Sequence, residues 1–316
     1  VIRDRKLIAL WLLLVMLLAT FLTLVYFFYV LVLEPKVPSK KGPGLIAVAS
    51  IYGFGKNPED LFSKPHDVCV DKEGNLVVSD TRNSRVVKIT PGGRLINIYT
   101  DKFVVRPLGV SVGGNGSIYV ADRFSNAMVI FNSHGEVLRR LAVDGPLKPC
   151  VYGNRVYLAT KGAAAVLSLK GDFLFHFGSY GRKEGMFSFP NGLTVDEKHI
   201  YVSDTNNQRI QCFTRRGELS WVKGFPSTKD NKSLFSLPAG IAYHRGRLYV
   251  VDGFADAILV LDAKTGKILK RLGGVRGDAD GEFNQPTGIA HLEGDLFAVA
   301  DKYNDRIQLV RLPIEK

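Results

Sequence analysis

Metal, nucleophilic or acid–base chemistry in this chain would have to be assembled from a small set of side chains. They are six histidines (His66, His134, His176, His199, His244, His291), three cysteines (Cys69, Cys150, Cys212) and the acids Asp278, Asp280 and Glu282. The cysteines show no Cys-x-x-Cys or other metal-ligand spacing, and an odd number cannot all pair within one chain, so free and mostly buried thiols are expected. Asp278-Ala-Asp-Gly-Glu282 alternates acids but lacks the length and spacing of a calcium loop, and reads as a solvated turn. No Gly-x-Ser-x-Gly elbow offers a nucleophile. One pattern does recur, Asp-x-x-Asn-x-Arg, at Asp80/Asn83/Arg85, Asp204/Asn207/Arg209 and Asp301/Asn304/Arg306. A buried Asp closing a strand can accept hydrogen bonds from the turn after it and pair with the Arg, so these residues are expected to hold structure and not to catalyse.

The elements that carry this pattern repeat along the chain. A Pro opens each unit, a short apolar strand follows, then a polar or Gly turn, a second strand ending in the Asp, and a third starting near the Arg. Three weaker units retain the plan: Asp122 and Asp252 keep the acid with Ala127 and Ala257 in place of Arg, and the third unit has Thr160 and Ala165 at the two positions. Successive units are 42, 38, 44, 48 and 49 residues apart, the length of a four-stranded propeller blade, and six fill the chain from residue 45 onward. Two units are preceded by Gly178-x-x-Gly181-x-x-x-Gly185-x-Phe187-x-x-Pro190 and Gly273-x-x-x-Gly277-x-x-x-Gly281-x-Phe283-x-x-Pro286. No helix follows either, so neither reads as a nucleotide loop.

Together these motifs resemble the NHL repeat, and the resemblance covers essentially everything after residue 44. It implies an all-β, six-bladed β-propeller of four-stranded antiparallel blades. The last unit supplies Gly288 to His291, Leu296 to Ala300 and Arg306 to Leu312 and stops one strand short. Ile46 to Gly53 is the missing outer strand, which predicts that the ring is closed by its N-terminal strand.

Some propellers of this kind are enzymes, and the resemblance invites two tests. A zinc lyase like the amidating lyases needs several His near the Pro that opens the inner strands. Only His66 qualifies, the corresponding positions being Leu108, Cys150, Asn191, Ala239 and Thr287, with the other His mostly on turns or outer strands. A lactonase-like calcium site would have Asp67 and Asn191 alone to draw on. No catalytic residue, metal or other cofactor is therefore assigned. An enzyme with an unrecognised axial site stays open as the alternative.

Ahead of the repeat, Leu7 to Leu33 is a 27-residue run without Asp, Glu, Lys or Arg. As a helix it would extend roughly 40 Å, enough for a hydrocarbon core of about 30 Å. Residues 1–34 are thus expected to form a transmembrane helix with a basic flank, and 35–44, with three prolines, a short stiff linker. The chain opens at Val1 without an initiator Met, so residues ahead of it are expected. Flanking charge is balanced between Arg3, Arg5, Lys6 and Lys36, Lys40, Lys41; the arrangement of one anchor before one domain favours a single-pass membrane protein with an extracytoplasmic propeller.

The whole chain carries a net charge of +12, and setting aside Arg3, Arg5, Lys6, Asp4 and Glu34 leaves +11 for residues 35–316. Such a domain suits anionic partners. Because the first propeller strand occupies a fourth-strand position, it must start on the face carrying the turns after first and third strands. Arg215, Arg216, Arg245, Arg247, Lys264 and Lys267 are expected on that membrane-facing side. The opposite face, made by the Asp-to-Arg turns and Gly-rich lead-ins, is expected to present Arg82, Lys102, Arg106, Arg123, Lys148, Lys161, Arg182 and Lys183 to a partner, with Asp278, Asp280 and Glu282 on its acidic side. The function expected is non-catalytic: a binding or scaffold module for a protein or an anionic polymer, or for RNA if the propeller faces the cytoplasm.

Overall fold

The computed structural model describes Thr20, residues 44–224 and residues 234–313. The expected transmembrane helix, and the linker up to residue 43, lie outside the described residues apart from Thr20. Residues 44–224 and 234–313 form six four-stranded antiparallel sheets arranged as consecutive blades. Their innermost strands are Pro65–Val70, Gly109–Val112, Pro146–Tyr152, Pro190–Val195, Pro238–His244 and Pro286–Glu293, in blades 1 to 6. Blade 6 is completed by Ile46–Ile51, which pairs with Arg306–Arg311 in the register Ile46 to Arg311 and Ile51 to Ile307. The ring is therefore closed as expected, and the chain enters at the face away from the Asp-to-Arg turns, where Ile46 sits opposite Arg311.

A blade is a sheet buried on both sides, so its second and third strands read as near-continuous apolar runs. Leu76–Asp80, Ile118–Asp122 and Leu296–Asp301 are buried at every position. The core is distributed as six clusters, each formed between neighbouring blades. Tyr249, Val251, Phe297 and Val299 join blades 5 and 6; Val78, Val87, Ala298 and Leu309 join blade 1 to blade 6 across the closure. Phe187 and Phe283 of the Gly-rich lead-ins are wholly buried in such clusters. Gly178 has φ +73°, and a Cβ there would lie 2.3 Å from the Phe187 ring, so these glycines allow the lead-in to fold over its Phe.

The recurring motif proves to be a clamp. Asp204 accepts the Ser188 amide at 2.7 Å on one oxygen, and Asn207 Nδ2, Arg209 Nε and Gln211 Nε2 on the other at 2.8, 2.8 and 3.1 Å. Arg209 also donates to the carbonyls of Arg182, Lys183 and Met186. Asp301 and Arg306 repeat the arrangement in blade 6, with Arg306 donating to the carbonyls of Asp278, Ala279 and Glu282. Burial pushes the Asp204 carboxyl up, opposed by the amide and side-chain donors around it. An Arg that is 2% exposed and satisfied by four acceptors fixes the lead-in loop to the blade. Where blade 3 has Thr160 and Ala165 instead, the Thr160 hydroxyl bonds within its own turn, to the Ala163 carbonyl.

All three cysteines are free, as expected. Cys212 is buried in the core, and burial raises its thiol to about 12 and that of Cys150 to about 11.

Candidate functional site

Five of the six inner strands open opposite the motif position of their blade: Pro65 faces Asp80, Pro146 faces Thr160, Pro190 faces Asp204, Pro238 faces Asp252 and Pro286 faces Asp301. In all five the register then slips by a bulge. A bulge re-aims the side chain next to it, so the residue after the Pro can face the axis, and the next one forms a second, deeper layer.

The deeper layer packs the inner strands against one another. Its six residues are Asp67, Gly109, Lys148, Gly192, Gly240 and Gly288. The glycines are obligatory packing positions: a Cβ would come within 2.2 Å of Leu147 O at Gly109, 2.0 Å of Ala239 O at Gly192 and 2.6 Å of Thr287 O at Gly240. The two residues of this layer that do carry side chains form an ion pair, Lys148 Nζ to Asp67 Oδ2. Lys148 also donates to Val110 O at 3.1 Å, and Asp67 Oδ2 accepts the Val110 amide at 2.9 Å, so the pair stitches blades 1, 2 and 3 together. Both side chains are largely buried; burial would lower the Lys148 ammonium, but Asp67 and its surroundings hold it above the ordinary lysine value.

Two expectations are corrected here. Lys148 does not present its ammonium on the open face: its side chain is 12% exposed and pairs with Asp67 of blade 1. The axial position of blade 3 is Leu147 and not Cys150, because Pro146, not Pro149, opens that strand; Cys150 packs with the core between blades 3 and 4.

Adjoining this layer is a cavity of about 640 Å3 on the Asp-turn face, lined near the axis by His66, Leu108, Leu147 and Asn191 and at its rim by Lys64, Arg82, Arg106, Arg123 and Lys302. Of the eight basic residues expected on this face, Arg82, Arg106 and Arg123 converge on the rim. Lys161 is exposed and paired with Asp144 at 2.7 Å. Lys102, Arg182 and Lys183 stand on exposed loops farther out, the last two above the carbonyls that Arg209 holds. On the acidic side, Asp280 accepts the Ser50 hydroxyl at 2.7 Å.

Lys64 and Lys302 were missed by sequence reasoning. Both adjoin the motif, Lys64 just before the blade-opening Pro65 and Lys302 just after Asp301, and these are the places from which Arg106 and Arg123 also reach the rim.

Among the described residues, none of the five rim cations makes an ion pair. Four lie against aromatic rings instead: Arg106 over Phe124 at 5.0 Å, Arg123 over Phe189 at 4.5 Å, and Lys64 and Lys302 both over Tyr303 at 4.5 and 5.3 Å. Asp305 is close by, but it accepts the Lys64 backbone amide at 2.6 Å. The electrostatic consequence appears on the neighbouring groups. Burial, then Lys302, pushes the His66 imidazole down to about 3, although its Nδ1 contact to Leu108 O opposes this. Burial, then Lys64, lowers the Lys302 ammonium.

This donor set does not fit a divalent cation: His66 is the one His in the lining, no carboxylate joins it, and five cations surround the opening. Among the described residues no three His, Cys, Asp or Glu side chains converge as metal ligands.

The opposite face carries Arg215, Arg216, Arg245, Arg247, Lys264 and Lys267 on the turns of blades 4 and 5. Arg215 lies 5.1 Å over the Tyr152 ring and donates to Tyr157 Oη, so its guanidinium is partly engaged. Lys264 lines a second cavity, of about 680 Å3, together with Tyr152, Asp196, Glu197, Tyr201 and Tyr243, where acids and bases are mixed.

The NHL repeat profile matches residues 62–89 and 187–213, which are blade 1 and blade 4 from the lead-in Phe to the third strand. Protein brain tumor of Drosophila melanogaster is 28% identical over 31% of this chain and 10% of its own length. Peptidyl-glycine alpha-amidating monooxygenase B of Xenopus laevis is 25% identical over 67% of this chain and 22% of its own. The probable peptidyl-alpha-hydroxyglycine alpha-amidating lyase of Caenorhabditis elegans is 23% identical over 68% and 57%. The chain thus spans little more than half, or much less, of the curated relatives it matches. Among solved structures, virginiamycin B lyase from Staphylococcus aureus superposes with a TM-score of 0.59 at 20% identity, over 79% of this chain and 81% of that one. Hydrazine synthase of Kuenenia stuttgartiensis gives 0.58 at 11%, over 83% and 98%. These likenesses are of fold: the chain is a six-bladed β-propeller that carries NHL repeats in blades 1 and 4, with the same clamp in blade 6.

Proposed function

We propose that the propeller is a non-catalytic recognition module that captures an anionic partner, a protein or an anionic polymer, on its Asp-turn face. The observation that carries this reading is the rim of five cations without a carboxylate partner among the described residues. Unpaired charge on a rigid ring costs self-repulsion and is relieved when a complementary surface arrives. Phe124, which is 66% exposed, and Tyr303 stand among these cations and supply apolar anchoring area. Leu7 to Leu33 would tether the module to a membrane, with the propeller outside the cytoplasm and Arg215, Arg216, Arg245, Arg247, Lys264 and Lys267 toward the headgroups. In support, the first strand enters at the face that bears those six residues.

The test is capture by cross-linking from native membranes, comparing the parent with a variant carrying Arg82→Gln, Arg106→Gln, Arg123→Gln and Arg182→Gln. None of the four is a clamp Arg, so the fold should persist while capture weakens. A partner held as tightly by the variant would overturn the reading. RNA among the captured molecules would assign the anionic polymer and place the domain in the cytoplasm.

A second reading, a propeller lyase, draws on the similarity to the amidating lyases and on His66, whose ring lines the axial cavity. Amidating-lyase activity of purified protein that disappears in His66→Gln would favour it.

A further inference from the structure

We propose that the axial cavity itself is a binding site for a phosphate-type oxyanion of two or more negative charges, seated between Arg106, Arg123, Lys64 and Lys302 with its organic end directed outward past Phe124. The inference rests on the reading of this face as anion-binding, and deepens it by naming the group that is bound.

Three features support a compact phosphate over an extended polyanion. The first is shape. The cavity of about 640 Å3 is of small-molecule size, and its lining residues His66 and Leu147 adjoin the buried Asp67–Lys148 pair, so it suits an end group better than an extended chain. The second is the charge count: five cations meet at one opening, and no carboxylate lines it. A single carboxylate would leave most of that charge uncompensated, whereas a phosphate monoester dianion or a pyrophosphate can engage several cations at once. The third is preorganisation. The Arg106 and Arg123 guanidinium groups lie against the Phe124 and Phe189 rings and make no ion pair among the described residues, which limits the side-chain freedom lost on binding and leaves donors for phosphate oxygens. Lys64 is directed to the rim from a left-handed backbone conformation, φ 49°, that the hydrogen bond from its backbone N–H to Asp305 Oδ1 helps hold.

Bound phosphate would also act on the buried groups below. His66 faces Lys302 and Lys148, and an anion among these cations lowers the cost of protonating the ring, so its titration moves upward. A residue serving structure alone would not show that shift on addition of an anion.

The experiment uses the whole 316-residue chain in detergent. Inorganic phosphate and pyrophosphate are titrated by calorimetry, and vesicles of phosphatidylcholine with phosphatidate are tested by co-sedimentation. The His66 ring is followed by NMR with and without pyrophosphate. The proposal expects saturable pyrophosphate binding, a higher His66 midpoint in its presence, and about a hundredfold weaker binding in the Arg106→Gln/Arg123→Gln double variant, as two charge-assisted bonds are lost. Lys302→Gln alone should weaken binding about tenfold, and Arg216→Gln on the other face should leave it unchanged. Binding to phosphatidate vesicles alone, lost in the same variants, would assign the same chemistry to a lipid headgroup. No binding to any probe, or binding undiminished in the double variant, would overturn the proposal. If partner capture nevertheless fell in the quadruple variant, the recognition face would stand without this pocket; phosphate binding with undiminished capture would show the reverse.

Discussion

Replacing Lys148 by Met tests how far a single buried ion pair holds the inner strands of blades 1, 2 and 3 together. In the parent, Lys148 Nζ satisfies Asp67 Oδ2 and the Val110 carbonyl, and the Asp67 side chain is 6% exposed. The variant leaves a buried carboxylate oxygen with one amide donor, from Val110, where it had two partners. Breaking a buried pair in this way costs about 3–5 kcal/mol, because the remaining charge is uncompensated. At roughly 2–4 °C per kcal/mol for a domain approaching this size, the Tm read by circular dichroism should fall by roughly 6–20 °C. The double variant Asp67→Asn/Lys148→Met removes both charges and should recover most of the loss, to within about 1 kcal/mol of the parent. The Lys148 ammonium is held above its ordinary value, so the stability it adds is fully present below the unfolded lysine value and is lost only as pH rises through the higher folded one. The gap between parent and single variant should therefore stay undiminished from neutral pH up to about 10.4. A single variant within about 2 °C of the parent, or a double variant no more stable than the single, would refute the argument.

Gly192→Ala should destabilise the fold by at least about 1–3 kcal/mol, since its Cβ would meet Ala239 O at 2.0 Å; urea unfolding measures this, and Gly74→Ala is unsuitable as a control because of its φ of +82°. Arg209→Lys keeps the charge but loses the fork that reaches three carbonyls, and should cost about 1.5–3 kcal/mol while loosening the 181–187 loop, visible as faster amide exchange there. His66 and His244 are held down to about 3 and about 4, each mainly by burial, so the unfolded chain binds more protons as pH falls below about 6.5, and stability should decline from there toward pH 4. His66→Gln should flatten the Tm profile in that window, and an unchanged slope would show that the ring is protonated without penalty.

The propeller was legible because its evidence is redundant: Asp80, Asp204 and Asp301 recur with the same turn and Arg, and even blades without the Arg preserve the spacing. Their role was legible too, since a carboxylate at the end of an apolar strand has to find donors. The axis was harder. Blade 3 lacks both Asp and Arg and offers two prolines three residues apart; choosing Pro149 over Pro146 shifts the strand by an odd number, which exchanges core and channel positions. That put Cys150 on the axis and Lys148 on the surface. The rim was half visible, because Arg82, Arg106 and Arg123 could be placed on their turns. Lys64 and Lys302 are 238 positions apart, and only ring closure brings them onto the same tyrosine.

That closure also imposes a timetable. Ile46–Ile51 is made near the start of the propeller, yet its partner Arg306–Arg311 leaves the ribosome some 260 residues later. At about 5–20 residues per second, the strand waits roughly 13–50 s with its hydrogen-bonding edge uncovered. Ile46 and Val48, which remain about half exposed even in the finished ring, would be open to stray pairing throughout. Blades 1 to 5 can build their sheets as they emerge, each from consecutive strands, but the ring becomes a single cooperative unit only when the last strand is delivered. Commitment to the folded state thus waits for the sixth blade, with the earliest strand as the final piece to dock.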